Sequence, residues 1–112
     1  MTSEYQNRLS LLLKIHRPRL ATTHKLEFKN CFGAVAGYVE GAIFITCGQF
    51  GLALKLPAKT VDSVMQDKGG KPLKYFPNGH VKKDYVVIPE RILENYSEFK
   101  KLINQSIRHS LR

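Results

Sequence analysis

The chain is poor in the residues from which catalytic and metal sites are built. It has only two cysteines, Cys31 and Cys47. A zinc site needs more ligands at tighter spacing, so none is expected. Nine acidic residues stand dispersed at Glu4, Glu27, Glu40, Asp62, Asp67, Asp84, Glu90, Glu94 and Glu98. Paired-carboxylate chemistry needs two acids that converge, and no segment offers such a pair. His16, His24, His80 and His109 fall on separate expected elements. Neither Ser10 nor either cysteine has an adjacent base or a nucleophile-elbow motif. The one long apolar stretch is broken by glycines more often than a membrane helix tolerates. The first apolar run, Leu9 to Leu13, is short, contains Ser10 and leads straight into basic residues, unlike a signal peptide. These shortages point to a single domain over residues 1–112, cytoplasmic, without enzymatic activity, metal or membrane contact. In that compartment two reduced thiols are expected rather than a cross-strand disulfide.

What the chain does have is the stretch Lys29 to Leu56, apolar and punctuated by Gly33, Gly37, Gly41, Gly48 and Gly51. It reads as a β meander. One strand is expected from Cys31 to Val39, and Glu40-Gly41 supplies a tight turn. The next strand covers Ala42 to Cys47, and the third Leu52 to Leu56. Their connections are too short for a parallel crossover, so the strands are antiparallel. Leu26 and Phe28 alternate with charged neighbours and suggest a first strand or its lead-in.

Helices flank the meander. Ser3 is placed to cap a helix whose stripe is Tyr5, Leu9, Leu12, Leu13 and His16, ended by Pro18. On that stripe His16 reads as a packed structural histidine. Arg17 to Lys25 reads as a basic connector. Pro57 opens a helix over Ala58 to Asp67 with Val61, Val64 and Met65 on its apolar face, and Gly69-Gly70 stops it. Those glycines with Lys71 do not form a phosphate cradle, because they follow a helix instead of opening one. A second hairpin is expected from Leu73–Phe76 and Lys82–Ile88, around Pro77-Asn78-Gly79-His80. After a helical turn from Pro89 to Leu93, Ser97 is expected to cap a last helix striped by Phe99, Leu102, Ile103, Ile107 and Leu111. The order α-β-β-β-α-β-β-α describes an α+β domain, a five- to six-stranded antiparallel sheet with helices packed on one side.

Several short motifs recur in a family-like order. They are Cys31-Phe32-Gly33-Ala34, then Tyr38, Gly41 and Phe44, then Leu54-Lys55-Leu56, Leu73-Lys74-Tyr75, and Tyr85 with Pro89. In this order and spacing the chain resembles the N-terminal domain of the TfoX/Sxy family of bacterial competence regulators, over about residues 3–111. Cys31 stands where the family usually has Met, and Ala34 where it has a second Gly. The family's full-length regulators carry a further C-terminal helical domain, and a stand-alone N-terminal-type domain is expected here. The resemblance implies a regulatory or protein-interaction role, and no catalytic residue or cofactor to carry over.

The net charge of +9 suggests a polyanionic partner or a well-solvated surface. The excess lies outside the meander, which holds only Lys55 against Glu40 between residues 31 and 56. Lys71, Lys74, Lys82 and Lys83 collect on the second hairpin with His80, interleaved with Tyr75 and Phe76. Such a hairpin can follow phosphates and stack bases. Arg17 and Arg19 add to it if the connector lies nearby. The plainer reading is an edge guarded by lysines against strand association, with the rings packed inward. Tyr38, Phe44, Phe50 and Tyr85, with Lys55, are the candidates for a partner or self-association surface on the sheet face away from the helices. The plainer reading there is a buried sheet tyrosine and a lysine snorkelling at a strand end. Protein binding is therefore the leading reading, nonspecific nucleic-acid binding the alternative. A small-ligand pocket between the sheet and the last helix is a third.

Overall fold

The computed structural model describes residues 4–74 and 79–112. Ser3, Tyr75, Phe76 and Pro77-Asn78 lie outside the described residues, as does the side chain of Cys31. The helices are α1 (Glu4–His16), α2 (Leu20–Thr23), α3 (Ala58–Asp67), α4 (Glu90–Leu93) and α5 (Tyr96–Ser110). The strands are β1 (Leu26–Cys31), β2 (Ala34–Val39), β3 (Ala42–Gly48), β4 (Gly51–Lys55), β5 (Lys71–Leu73) and β6 (Lys82–Val87). They form one six-stranded antiparallel sheet in the order β1-β2-β3-β4-β6-β5. The helix α3 carries the chain past one strand position, so β5 takes the edge and β6 returns between it and β4. This is the expected α+β architecture.

Three local details differ from the sequence reading. The strand expected from Cys31 to Val39 is split, because Phe32 and Gly33 turn the chain with φ of 51° and 81°. Glu40 and Gly41 repeat that left-handed pair at 50° and 81°. Two successive positive φ values are the signature of hairpin turns that match strand twist, and glycine at the second position removes most of the cost. Leu26 and Phe28 therefore belong to a full strand, β1. The connector after α1 contains α2, where the Thr22 and Thr23 hydroxyls donate to the Arg19 carbonyl at 2.8 and 3.0 Å. The last helix is capped by Asn95, not Ser97. The Asn95 side chain accepts from the Glu98 amide at 3.0 Å, while its own amide donates to the Ile92 carbonyl at the end of α4.

The core lies between one sheet face and the helices. Val35, Ile45, Cys47, Leu52, Leu54 and Val86 meet Leu9, Leu13, Val61, Val64, Ile92, Phe99, Ile103 and Ile107 in a single cluster. The third strand supplies an irregularity that matters. Gly37 pairs with Ile45 but Tyr38 pairs with Ile43, so Phe44 is the extra residue of a β-bulge. The bulge turns Phe44 inward, where it is 0% exposed. The carbonyls around it are taken by α5. The Ser106 hydroxyl donates to the Phe44 carbonyl at 2.7 Å, and the Ser110 hydroxyl to the Ile43 carbonyl at 3.0 Å. Serines four apart share a helix face, so both reach the same strand. These two bonds seat α5 directly on β3.

Ser106→Ala leaves a buried carbonyl without its hydroxyl partner. It is expected to lose about 1–3 kcal/mol in urea denaturation. Ser110→Ala, at the half-buried end of the same clamp, is expected to lose less.

Candidate functional site

The sheet face opposite the core is set by the pairing register. Residues paired across antiparallel strands share a face, and residues two apart stay on it. One row crosses all six strands: Lys29, Ala36, Thr46, Ala53, Val87 and Lys71. Beside it run Glu27, Tyr38 and Ile43 on one half, and Lys55 with Tyr85 on the other. Toward the other strand ends, Gly48 faces Gly51, and a Cβ built on Gly48 would come 2.8 Å from the Phe50 ring. Phe50 thus folds over this same face. The core helices pack on the opposite face, and at one margin Tyr85 lines a depression with Ala58, Val61, Asp62 and Met65 of α3.

The face has a floor and walls. Ala34, Ala36, Thr46 and Ala53 are buried small side chains forming the floor. Tyr38, Ile43, Lys55, Tyr85, Val87 and Phe50 are half-buried and stand around it. The Thr46 hydroxyl donates to the Val35 carbonyl at 3.2 Å, and the surrounding side chains close Ala36, Thr46 and Ala53 from solvent, so the accessible surface is that of the walls. Lys29 holds its ammonium 5.0 Å from the centroid of the Tyr38 ring, a cation–π contact that steadies that wall. Lys29, Lys55 and Lys71 outnumber Glu27, which is itself 3.7 Å from Lys25. The surface is apolar at its centre and positive at its margins.

Of the five expected partner-surface residues, Tyr38, Phe50, Lys55 and Tyr85 stand together here. Phe44 does not. The bulge reverses the alternation beyond Ile45, so Ile43 takes the outward position and Phe44 enters the core. Ile43 and Val87, with the small floor residues, complete the surface and were not singled out from sequence. Val87 was not legible, because Tyr85-Val86-Val87-Ile88 is a continuous apolar run that shows no alternation. Ile43 was not legible either, because a bulge leaves no mark in one sequence.

The basic candidates divide into two groups. Lys71, Lys74, Lys82 and Lys83 are exposed along β5 and β6. Arg17 and Arg19 lie by contrast in the turn between α1 and α2, where Arg17 borders Leu26 and Phe28 of β1. Six strands at roughly 4.8 Å spacing put these edges on the order of 24 Å apart, so the two arginines do not join the hairpin lysines. Lys82 and Lys83 line a depression of about 280 Å³ against α3, and Asp62 and Asp84 line it too. Those carboxylates offset part of the charge a phosphate backbone needs.

Titratable groups elsewhere are structural. His16 is 4% exposed, stacked on Tyr96 with centroids 4.8 Å apart and set edge-on to Phe99 at 5.0 Å. Burial, aided by the Lys100 charge, lowers its pKa. Cys47 is a buried free thiol whose pKa burial raises against the opposing pull of Arg8. No cluster of three metal-capable side chains exists among the described residues.

The lowered His16 pKa has a definite sign. Between the folded and the unfolded pKa the unfolded chain binds more protons at this site, so stability falls as pH drops below about 6.5. Urea denaturation from pH 7.5 to 5.5 is expected to show that loss. His16→Phe, which keeps the aromatic packing, is expected to flatten the profile.

Comparison with known proteins agrees with this architecture. The model of the TfoX N-terminal domain matches residues 19–110. No curated protein and no solved structure matches the chain. The matched span takes in the whole sheet and every helix after α1, and the chain belongs to the TfoX N-terminal domain family.

Proposed function

We propose that this domain is a regulatory protein-binding module with no catalytic activity of its own, and that it holds its partner against the sheet face opposite the core. The observation that carries the reading is the ring of Tyr38, Ile43, Phe50, Tyr85 and Val87 around a floor of small side chains. Half-buried aromatic and aliphatic residues grouped on one face are what interface centres are made of. Lysines at both ends of the central row favour a partner with acidic groups at its margin. Family membership supports a role like that of competence regulators. The proposed setting is the bacterial cytoplasm. No helix among the described residues is long and apolar enough to cross a membrane.

Site-specific photocrosslinking in host cells tests this reading. A photoreactive phenylalanine at position 38 or 85 is expected to yield a discrete protein adduct. The same group at the exposed Lys101 on α5 is expected to yield none. Equal labelling at all three positions, or none at 38 and 85, would overturn it.

The exposed row Lys71, Lys74, Lys82 and Lys83 favours a second reading, nonspecific nucleic-acid binding. Fluorescence anisotropy with labelled DNA and RNA over about 50–300 mM salt separates the two, because phosphate contacts weaken steeply with salt. The protein-binding reading expects no complex near physiological salt. A complex that persists there and is lost in Lys82→Glu/Lys83→Glu would replace it.

A further inference from the structure

The turn between α1 and α2 meets α5 around an open depression of about 480 Å³, lined by His16, Arg17, Pro18, Arg19, Lys100 and Asn104. Three fixed positive charges line it, and no carboxylate does. Among the described residues, Arg17, Arg19 and Lys100 form no ion pair with an acid. This is unlike the depression at Lys82 and Lys83, where Asp62 and Asp84 sit among the lysines.

The groups are also arranged to donate. Arg17 donates through Nη1 to the Asn104 Oδ1 at 2.9 Å, a bond that joins the α1–α2 turn to α5. That bond uses the carboxamide oxygen and leaves the Asn104 amide hydrogens for a ligand. Lys100 rests 5.5 Å from the Tyr96 ring centroid, which restrains its ammonium without neutralising it. His16 lines the same depression, and its Nδ1 is the one buried side-chain polar atom among the described residues with no hydrogen-bond partner.

We propose that this depression is a binding site for a small phosphate-bearing molecule, gripped by Arg17, Arg19, Lys100 and Asn104. Two guanidinium groups suit a tetrahedral oxyanion, because each presents paired N–H donors. Three uncompensated cations match a dianion better than a single carboxylate. The volume exceeds that of a phosphate ion and lies in the range of small-molecule sites, so an ester with an organic remainder fits. The cations line one open depression between the α1–α2 turn and α5 instead of following a strand or helix, which separates this site from a nucleic-acid groove.

Titration of the full chain with inorganic pyrophosphate at about 150 mM salt, followed by two-dimensional amide NMR, tests the proposal. Saturable shifts are expected at Arg17, Arg19, Lys100 and Asn104, with little change at Lys82 and Lys83. Arg19→Ala and Lys100→Ala are each expected to weaken binding about tenfold, while Lys83→Ala leaves it unchanged. Arg19 is exposed and Lys100 half-buried, and unchanged spectra elsewhere verify the fold. Shifts that do not saturate, or that fall equally on Lys82 and Lys83, would overturn the site. If a short single-stranded oligonucleotide binds there and pyrophosphate does not, the small-molecule class is overturned.

Discussion

The hydroxyls of Ser106 and Ser110 hold the sheet where the register of β2 and β3 slips. A bulge ordinarily loosens a ladder, because the extra residue has no partner across the strand. Here the slip is met from outside, by two donors one helical turn apart on α5. The same slip sends Phe44 into the core beside Phe99, Ile103 and Ile107. Packing and hydrogen bonding therefore act at one place, and α5 can sit on β3 and β4 in only one register. The Asn95 cap and the Arg17–Asn104 bond fix the helix at its start and middle in the same position.

Concentrating the bulk on one side of the sheet leaves the other side thin. Ala36, Thr46 and Ala53 follow one another across three central strands, and Gly48 follows beneath Phe50. Larger residues there would make the sheet two-sided and require a second layer. Small ones make a floor, and the tall residues around it are left half-exposed. The open face and the compact core are thus two consequences of one distribution of side-chain size. The basic depression at α1 and α5 is independent of that face. It depends on where Pro18 ends the first helix and brings Arg17 and Arg19 against α5.

Much of this was legible in the chain. Helix α3 runs over the residues expected, because Pro57 and Gly69-Gly70 punctuate it at both ends. The glycine-marked meander announced antiparallel strands, and Glu40-Gly41 announced its turn. Phe32-Gly33 carried the same signal but was read as strand interior, since its neighbours are as apolar as a strand. Tyr38, Lys55 and Tyr85 were named as candidates for one face, and the pairing register puts them there. That reading failed at Phe44, where a one-residue bulge reversed the parity. Proximity across the fold was the least legible. Nothing in the spacing of Arg17 and Asn104, 87 residues apart, announces that they touch at 2.9 Å. Nor does the sequence show that Arg19 faces α5 and not the lysine-rich hairpin.

If the two faces divide their work in this way, the tyrosines of the open face serve contact more than stability. Urea denaturation of Tyr38→Ser/Tyr85→Ser beside Phe99→Ala measures that directly. The tyrosine pair is expected to lose about 1–2 kcal/mol, as half-exposed rings with no layer over them. Phe99→Ala is expected to lose about 3–5 kcal/mol, as a ring removed from a closed core. Equal losses in the two variants would contradict the account, because the open face would then be part of what holds the fold together.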